Sequence, residues 1–301
     1  MKIFISGGAG YIGINLARQA LTAYADCHIC IYDNFSRTNF ADVLSLVSEF
    51  GPRFSVVRGD ILDGRKLEQA LKGYSVVVHL AALSATPFND ENPHLMEQVN
   101  HWGTASLVSA IEATESINKV IFLSSTSVYG FGDEFFTENS DTIPVGSYGR
   151  SKLRAEEQLS RLGEKLDLAI VRIGTVFGQG LSMRFDSVIN KFCFNASIHE
   201  RLIIDGDGNQ VRPFVYLPNL IGKILSLMTA ESHLKPQNYV DFNLSVNDIV
   251  TAICNLKLET EYIHVNKEMV YRTLTIAADT SGKSKASLVE EFESLLKQDM
   301  R

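Results

Sequence analysis

The stretch from Lys2 to Gly13, Lys-Ile-Phe-Ile-Ser-Gly-Gly-Ala-Gly-Tyr-Ile-Gly, leaves the chain few folds to choose from. Its first residues form a short apolar run, the pattern of a strand buried on both faces. Glycines follow at 7, 8, 10 and 13, and then apolar residues at Tyr11, Ile12, Leu16, Ala17, Ala20, Leu21 and Tyr24 recur with a helical period. A helix that leaves a strand end this abruptly needs a tight turn. Its backbone can then approach a pyrophosphate more closely than a Cβ would permit, and Gly13 lets the helix lie against the sheet. The unpaired N–H groups of the first helical turn complete a seat for phosphate. The spacing fits G-x-G-x-x-G from Gly8 and equally G-x-x-G-x-x-G from Gly7. Asp33 stands about 20 residues beyond the last glycine, as a dinucleotide site requires. Gly7, Gly10, Tyr11, Ile12 and Gly13 are therefore candidate cofactor contacts.

A second strand, His28 to Tyr32, ends in Asp33-Asn34. A carboxylate there accepts a hydrogen bond from the adenosine ribose and repels a 2′-phosphate, which favours NAD. Asp33 also suits the capping of a turn, and Arg37 leaves room for NADP. A helical segment, Phe40 to Phe50, precedes a third strand, Phe54 to Arg58, which runs into Gly59-Asp60-Ile61. Asp60 suits either a contact with the adenine amino group or the cap of the next helix. The fourth strand, Ser75 to Leu80, is followed by Ala81 and Ala82, small enough for close passage beneath a cofactor. A long helix is expected from Pro93 to Thr114, with Asn100 inside it. Strand five, Lys119 to Leu123, opens into Ser124-Ser125-Thr126-Ser127-Val128-Tyr129-Gly130. Hydroxyls at the carboxyl end of a parallel strand lie where such sheets bind ligands. Tyr148 and Lys152 share one face of the helix that follows, through about Gly163. An ammonium beside the phenol is expected to lower a pKa otherwise near 10, so that Tyr148 exchanges protons near neutral pH.

Taken together these residues resemble the extended short-chain dehydrogenases/reductases that act on nucleotide sugars, the NAD-dependent epimerase/dehydratase group. The resemblance rests on Gly7 to Gly13, Asp33-Asn34, Gly59-Asp60, His79 to Ala82, Asn100-x-x-Gly103-Thr104, Ser124 to Gly130 and Tyr148-x-x-x-Lys152. It implies that Ser125, Tyr148 and Lys152 are catalytic, with Ser125 bonding the sugar hydroxyl and Lys152 holding the nicotinamide ribose. It also implies cofactor contacts at Asp33, Asn34, Asp60, Ile61, Ala81, Ala82 and Asn100. Substrate contacts are implied at Ser84, Thr126, Thr175, Asn190 and Arg212, the last clamping the nucleotide diphosphate with paired donors. Dehydratases of the group carry an Asp-Glu pair where Thr126-Ser127 stands, so loss of water from C6 is disfavoured. A homodimer through the helices near 93–114 and 148–163 follows from the resemblance as well.

The expected architecture is α/β, a Rossmann-like, doubly wound, mostly parallel sheet with a smaller C-terminal substrate-binding region. Residues 1–173 would hold NAD and 174–301 the substrate, with about 214–232 returning to the first domain. Strands are expected near Leu168–Arg172, at Ile203–Asp205 and Val211–Tyr216 around a glycine turn, and near Tyr239–Phe242, Tyr262–Val265 and Thr273–Ala277. Helices are expected near Leu217–Ala230, Val246–Leu256 and Lys285–Lys297. A net charge of −7 over 301 residues argues against nucleic-acid or anionic-membrane partners. No signal peptide or membrane span is evident, which suggests the cytoplasm. The Cys27-x-x-Cys30 spacing falls near a strand, where residues three apart face opposite ways, so no metal site is expected. The expected activity is NAD-dependent epimerisation of a nucleotide-diphosphate sugar through a transient 4-keto form. A ketosugar reductase or dehydrogenase is the alternative, and a non-catalytic cofactor sensor a third.

Overall fold

A computed structural model describes residues 1–37, 40–84, 92–231, 235–266, 273–277 and 285–296. Seven parallel strands form the central sheet in the order Gln237–Tyr239, Asp167–Ile173, Lys119–Ser125, Val76–His79, Lys2–Ser6, His28–Asp33, Phe54–Arg58. Both faces are covered, so alternate side chains of one strand enter different cores. Ile3, Ile5, Val76, Val78, Ile121 and Leu123 pack with helices Tyr11–Ala23 and Leu217–Thr229 on one side. Phe4, Val77, Val120 and Phe122 pack with Gly64–Leu71, Gly103–Glu112 and Ser147–Ser160 on the other. Cys27 and Cys30 fall into these two separate cores as free thiols. No group of side chains suited to a metal ion occurs among the described residues.

From Lys2–Ser6 the chain winds outward through the next two strands on one side, then returns to Val76–His79 on the other. This reversal opens a crevice at the carboxyl ends of the two neighbouring strands, where open α/β sheets bind ligands. Ser6, Asp33, His79 and Ser125 all end their strands at that edge.

The strand Asp167–Ile173 continues into Thr175–Phe177, which leaves the main sheet and pairs with Val211–Tyr216; that strand also pairs antiparallel with Phe242–Ser245. Helix Leu217–Thr229 then carries the chain back to the main sheet, and Gln237–Tyr239 extends its edge. The single strand expected at Tyr239–Phe242 is thus two strands in different sheets, split at Val240 and Asp241. The expected strands around Gly206 and Gly208 also part company, because Leu202–Asp205 pairs in parallel with the distant Tyr262–Val265. Helix Val188–Ser197 is an addition to the expected elements; it buries Ile189, Phe192, Cys193 and Ala196 against the second-half core. Asp63, not Asp60, caps helix Gly64–Leu71, its side chain accepting from Lys66 N. The long helix expected from Pro93 is continuous to Glu112 but widens into a π-turn at Glu97–Trp102. No described helix is long and apolar enough to cross a membrane.

Candidate active site

The glycine turn is shaped by two kinds of glycine. Gly7 has φ +69, and a Cβ there would lie 2.5 Å from Ala81 N and 2.6 Å from Ala81 Cα. Only glycine lets the two strand ends meet this closely. Gly10 differs: a Cβ would meet nothing nearer than Gly7 O at 3.4 Å. Open space at Gly10 faces the start of helix Tyr11–Ala23, which has no side-chain cap and no acidic residue in its first turn. A positive helix end left bare beside open space fits a bound pyrophosphate. Asp33 is half-buried, accepting from Ala9 N (3.0 Å) and Phe35 N (2.8 Å), and burial raises its carboxyl above the ordinary value. It therefore ties the glycine turn to the end of the second strand and still has lone pairs for a ribose hydroxyl. Asn34 Nδ2 and Asp60 Oδ2 lie 3.5 Å apart at neighbouring strand ends, with Ile61 buried behind them. Ala81 and Ala82 follow the fourth strand, half-buried like Ile12. These residues fit a dinucleotide. Because Asp33 brings like charge to a 2′-phosphate, NAD should bind about 100-fold more tightly than NADP by calorimetry. Equal affinities would mean that Arg37 or a loop movement governs the choice.

Ser125 ends the strand Lys119–Ser125, and Tyr148 lies in the first turn of helix Ser147–Ser160. Gly149 lets that helix close on the serine turn, since a Cβ there would sit 2.5 Å from Ser127 O. Ser125 Oγ accepts from Ser127 N (3.2 Å) and Ser127 Oγ (2.9 Å), which leaves its own proton to donate. The Tyr148 phenol lies near enough for the Ser125 hydroxyl to favour its ionised form. Lys152 is buried, its Nζ donating to Leu123 O at 2.8 Å and lying 4.7 Å from the centre of the Phe122 ring. Burial lowers its pKa to about 8, with Glu156 pulling the other way.

The expectation of a lowered tyrosine pKa is corrected by this geometry. Burial raises the Tyr148 phenol, and the opposing influences are the Arg184 charge and the Ser125 hydroxyl. Lys152 Nζ is turned to the strand carbonyl, and desolvation outweighs the Arg184 charge near the phenol. Sequence reasoning misses Arg184 as a site residue, because it stands in a loop far along the chain from Tyr148 with no motif around it. It is held by Asp186 through two bonds of 2.8 and 2.6 Å, and its carbonyl accepts from Asn190 Nδ2.

The other candidate residues are not all in one place. Asn100 lies in the π-turn and bonds Leu83 N (2.7 Å), Leu83 O (2.9 Å) and Ser151 Oγ (3.0 Å), so it fixes the chain below the cofactor crevice. Asn190 is fully buried, bonding Gly178 N and Arg184 O, and anchors the loop rather than facing open space. The same loop is tied to the glycine turn by the Tyr11 hydroxyl on Gly178 O. Thr126 is buried against Ile173 O, Thr175 is exposed, and Ser84 is half-buried. Arg212 lies over the Phe131 ring, 4.6 Å from its centre. His79 sits between Ser6 Oγ (2.7 Å) and Thr104 Oγ1 (2.8 Å), and burial lowers its pKa to about 3, so it is neutral at physiological pH.

A buried tyrosine near a strand-end serine, beside a dinucleotide seat, is the arrangement of the short-chain dehydrogenases/reductases, and the long second half makes this an extended one. The model of the NAD dependent epimerase/dehydratase family matches residues 3–244; the chain belongs to that family, and its cofactor is NAD. Among its relatives, the CDP-paratose 2-epimerase of Salmonella typhi is 26% identical over 293 residues, covering 88% of this chain and 86% of that protein. A trifunctional UDP-glucose 4,6-dehydratase/UDP-4-keto-6-deoxy-D-glucose 3,5-epimerase/UDP-4-keto-L-rhamnose-reductase of Arabidopsis thaliana is 27% identical over 85% of this chain, which spans only 39% of that protein's length. The crystal structure of UDP-glucuronic acid 4-epimerase from Bacillus cereus, in complex with UDP-glucuronic acid and NAD, superposes with a TM-score of 0.84. It is 25% identical and covers 98% of this chain and 99% of that one.

Proposed function

We propose that this protein is a nucleotide-sugar epimerase that works through a transient 4-keto sugar. The observation that carries the reading is the Ser125–Tyr148 pair, one hydroxyl aligned by Ser127 and the other faced by Arg184. Such a pair suits removal and return of one proton at a sugar hydroxyl. Hydroxyls at Thr126 and Ser127, where the dehydratases carry acids, give no carboxyl group for elimination. Tyr148 takes the proton of the C4 hydroxyl through or beside Ser125, while the hydrogen on C4 leaves as hydride. NAD, when bound, supplies the two-electron oxidation and its reversal. Arg212, with the aromatic face of Phe131 beneath it, grips the diphosphate, while Ser84 and Thr175 touch the sugar and Thr126 stays buried on Ile173 O. Firm phosphate contacts with loose sugar contacts let the keto sugar turn over before the same pair returns the proton.

On this reading residues 1–173 hold the cofactor, and 174–301 mainly the substrate, apart from the returning segment near 214–232. The relatives' substrates favour a UDP- or CDP-linked sugar. Nuclear magnetic resonance of the purified holoprotein with a panel of nucleotide sugars tests the reading. One of them should be converted to an isomer inverted at C4, without added cofactor. Turnover only with a ketosugar and added NAD(P)H would establish the reductase instead.

We also infer a homodimer through helices Gly103–Glu112 and Ser147–Ser160 with the turns before them, where Leu95 and Trp102 leave apolar surface exposed. Light scattering at micromolar concentration should give twice the 33.4 kDa chain mass. A monomer would contradict it.

A further inference from the structure

Below the strand end that presents Ser125 runs a buried chain of polar groups that the proposed proton transfer does not use. Glu156 and Arg172 are each only 6% exposed. Arg172 Nε and Nη2 reach the two Glu156 oxygens at 3.0 and 2.7 Å. Ser124 Oγ donates to Glu156 Oε1. Arg172 Nη1 donates to the Tyr129 hydroxyl at 2.9 Å, and that hydroxyl donates to Asn238 Oδ1 at 2.8 Å, on the edge strand Gln237–Tyr239. A buried ion pair is costly to desolvate and is often matched in stability by apolar side chains, so its presence here points to geometry or charge.

Glu156 stands one helical turn beyond Lys152, on the same face of helix Ser147–Ser160. We propose that Glu156 is a positioning residue: through Ser124 it fixes the strand end that carries Ser125, and its carboxylate, oriented by Arg172, is the countercharge that keeps Lys152 an ammonium. This rests on the reading of Tyr148 and Lys152 as the acid/base group. The other groups around Lys152 are consistent with that role. From the strand Val76–His79 comes His79, which is neutral; Phe122 and the Leu123 carbonyl come from Lys119–Ser125; Arg172 on Asp167–Ile173 is already paired; Tyr148 on the same helix turns to Ser125. Lys152 otherwise lies in an environment that favours the free amine, its pKa lowered by burial to about 8.

The test compares Glu156→Gln, Glu156→Asp and Ser124→Ala with the wild type in the NAD-loaded protein. Turnover is followed against pH, and the Lys152 ammonium is followed through its 13Cε shift by nuclear magnetic resonance. Glu156→Gln should move the Lys152 titration and the alkaline limb of kcat to lower pH by about one unit, because the stabilising anion is gone. With the Lys152 titration moved from about 8 toward 7, kcat should fall about twofold at neutral pH and about tenfold above pH 9, while KM stays unchanged. Glu156→Asp, which keeps the charge, should restore the limb. An unmoved Lys152 titration in a folded Glu156→Gln protein would overturn the countercharge. Should that variant not fold, Ser124→Ala leaves the ion pair intact and should still lower kcat about 3-fold or more at constant KM. Full activity there would overturn the positioning. The lysine titration needs no turnover, so it separates this inference from the epimerase reading, which falls if no sugar is epimerised.

Discussion

Tyr148→Phe is expected to lower turnover by about 10²- to 10⁴-fold while NAD remains bound in the same stoichiometry. The substitution removes one oxygen and leaves the ring in place. Ser125 keeps its alignment, because Ser127 N and Oγ hold it independently of the phenol. What disappears is the only group of the pair that can carry the proton away from the sugar. Ser125→Ala should be milder, since Tyr148 still faces the site. Lys152→Ala should harm both rate and cofactor affinity, because the ammonium is buried at the strand end beneath the site. A Tyr148→Phe enzyme with near-full activity would mean that another group carries the proton.

The second large effect concerns Gly10. Gly10→Val should weaken NAD by about 100-fold or more, equivalent to about 3 kcal/mol, and leave the cofactor-free protein folded. Gly10 has φ −75 and ψ 171, a conformation open to any residue, and its Cβ position is free of close protein contacts. The added side chain therefore meets only the incoming pyrophosphate and the bare helix end. Gly7→Ala makes the contrast, since its Cβ collides with the backbone of Ala81 at a positive φ and should lower Tm without any ligand. Calorimetric titration and thermal melting of both variants separate the two roles. Undiminished NAD binding by Gly10→Val would place the phosphates elsewhere.

Much of the fold is legible in the sequence because it is local. The strand, glycine turn and helix of residues 2–23 are specified by neighbours in the chain, and so are the strand His28–Asp33 and the helix Val246–Leu256 with its Ser245–Asp248 capping box. Periodicity cannot say which strand pairs with which. The chain around Tyr239 to Phe242 carries one continuous apolar-polar pattern, yet Asp241 breaks it by accepting from Tyr216 N and Asn219 Nδ2. Helix Val188–Ser197 has buried residues at helical spacing, but the aromatic and basic residues around it disguise the period. The proposed acid/base group shows the same division. Tyr148 and Lys152 are visible as a spacing, whereas burial of the phenol and the charge of Arg184 come from the fold. Nothing local links Glu156, Arg172, Tyr129 and Asn238, which meet only when the strands and the helix that carry them are assembled.

The central claim is that one proton-transfer group takes the sugar to a 4-keto form and back with no net redox change. The measurement that tests it most directly uses the holoprotein and its nucleotide sugar deuterated at C4. The account predicts many turnovers per bound NAD, deuterium retained at C4 of the product, and no rise in absorbance from reduced cofactor. Stoichiometric accumulation of NADH, or loss of the label, would contradict it.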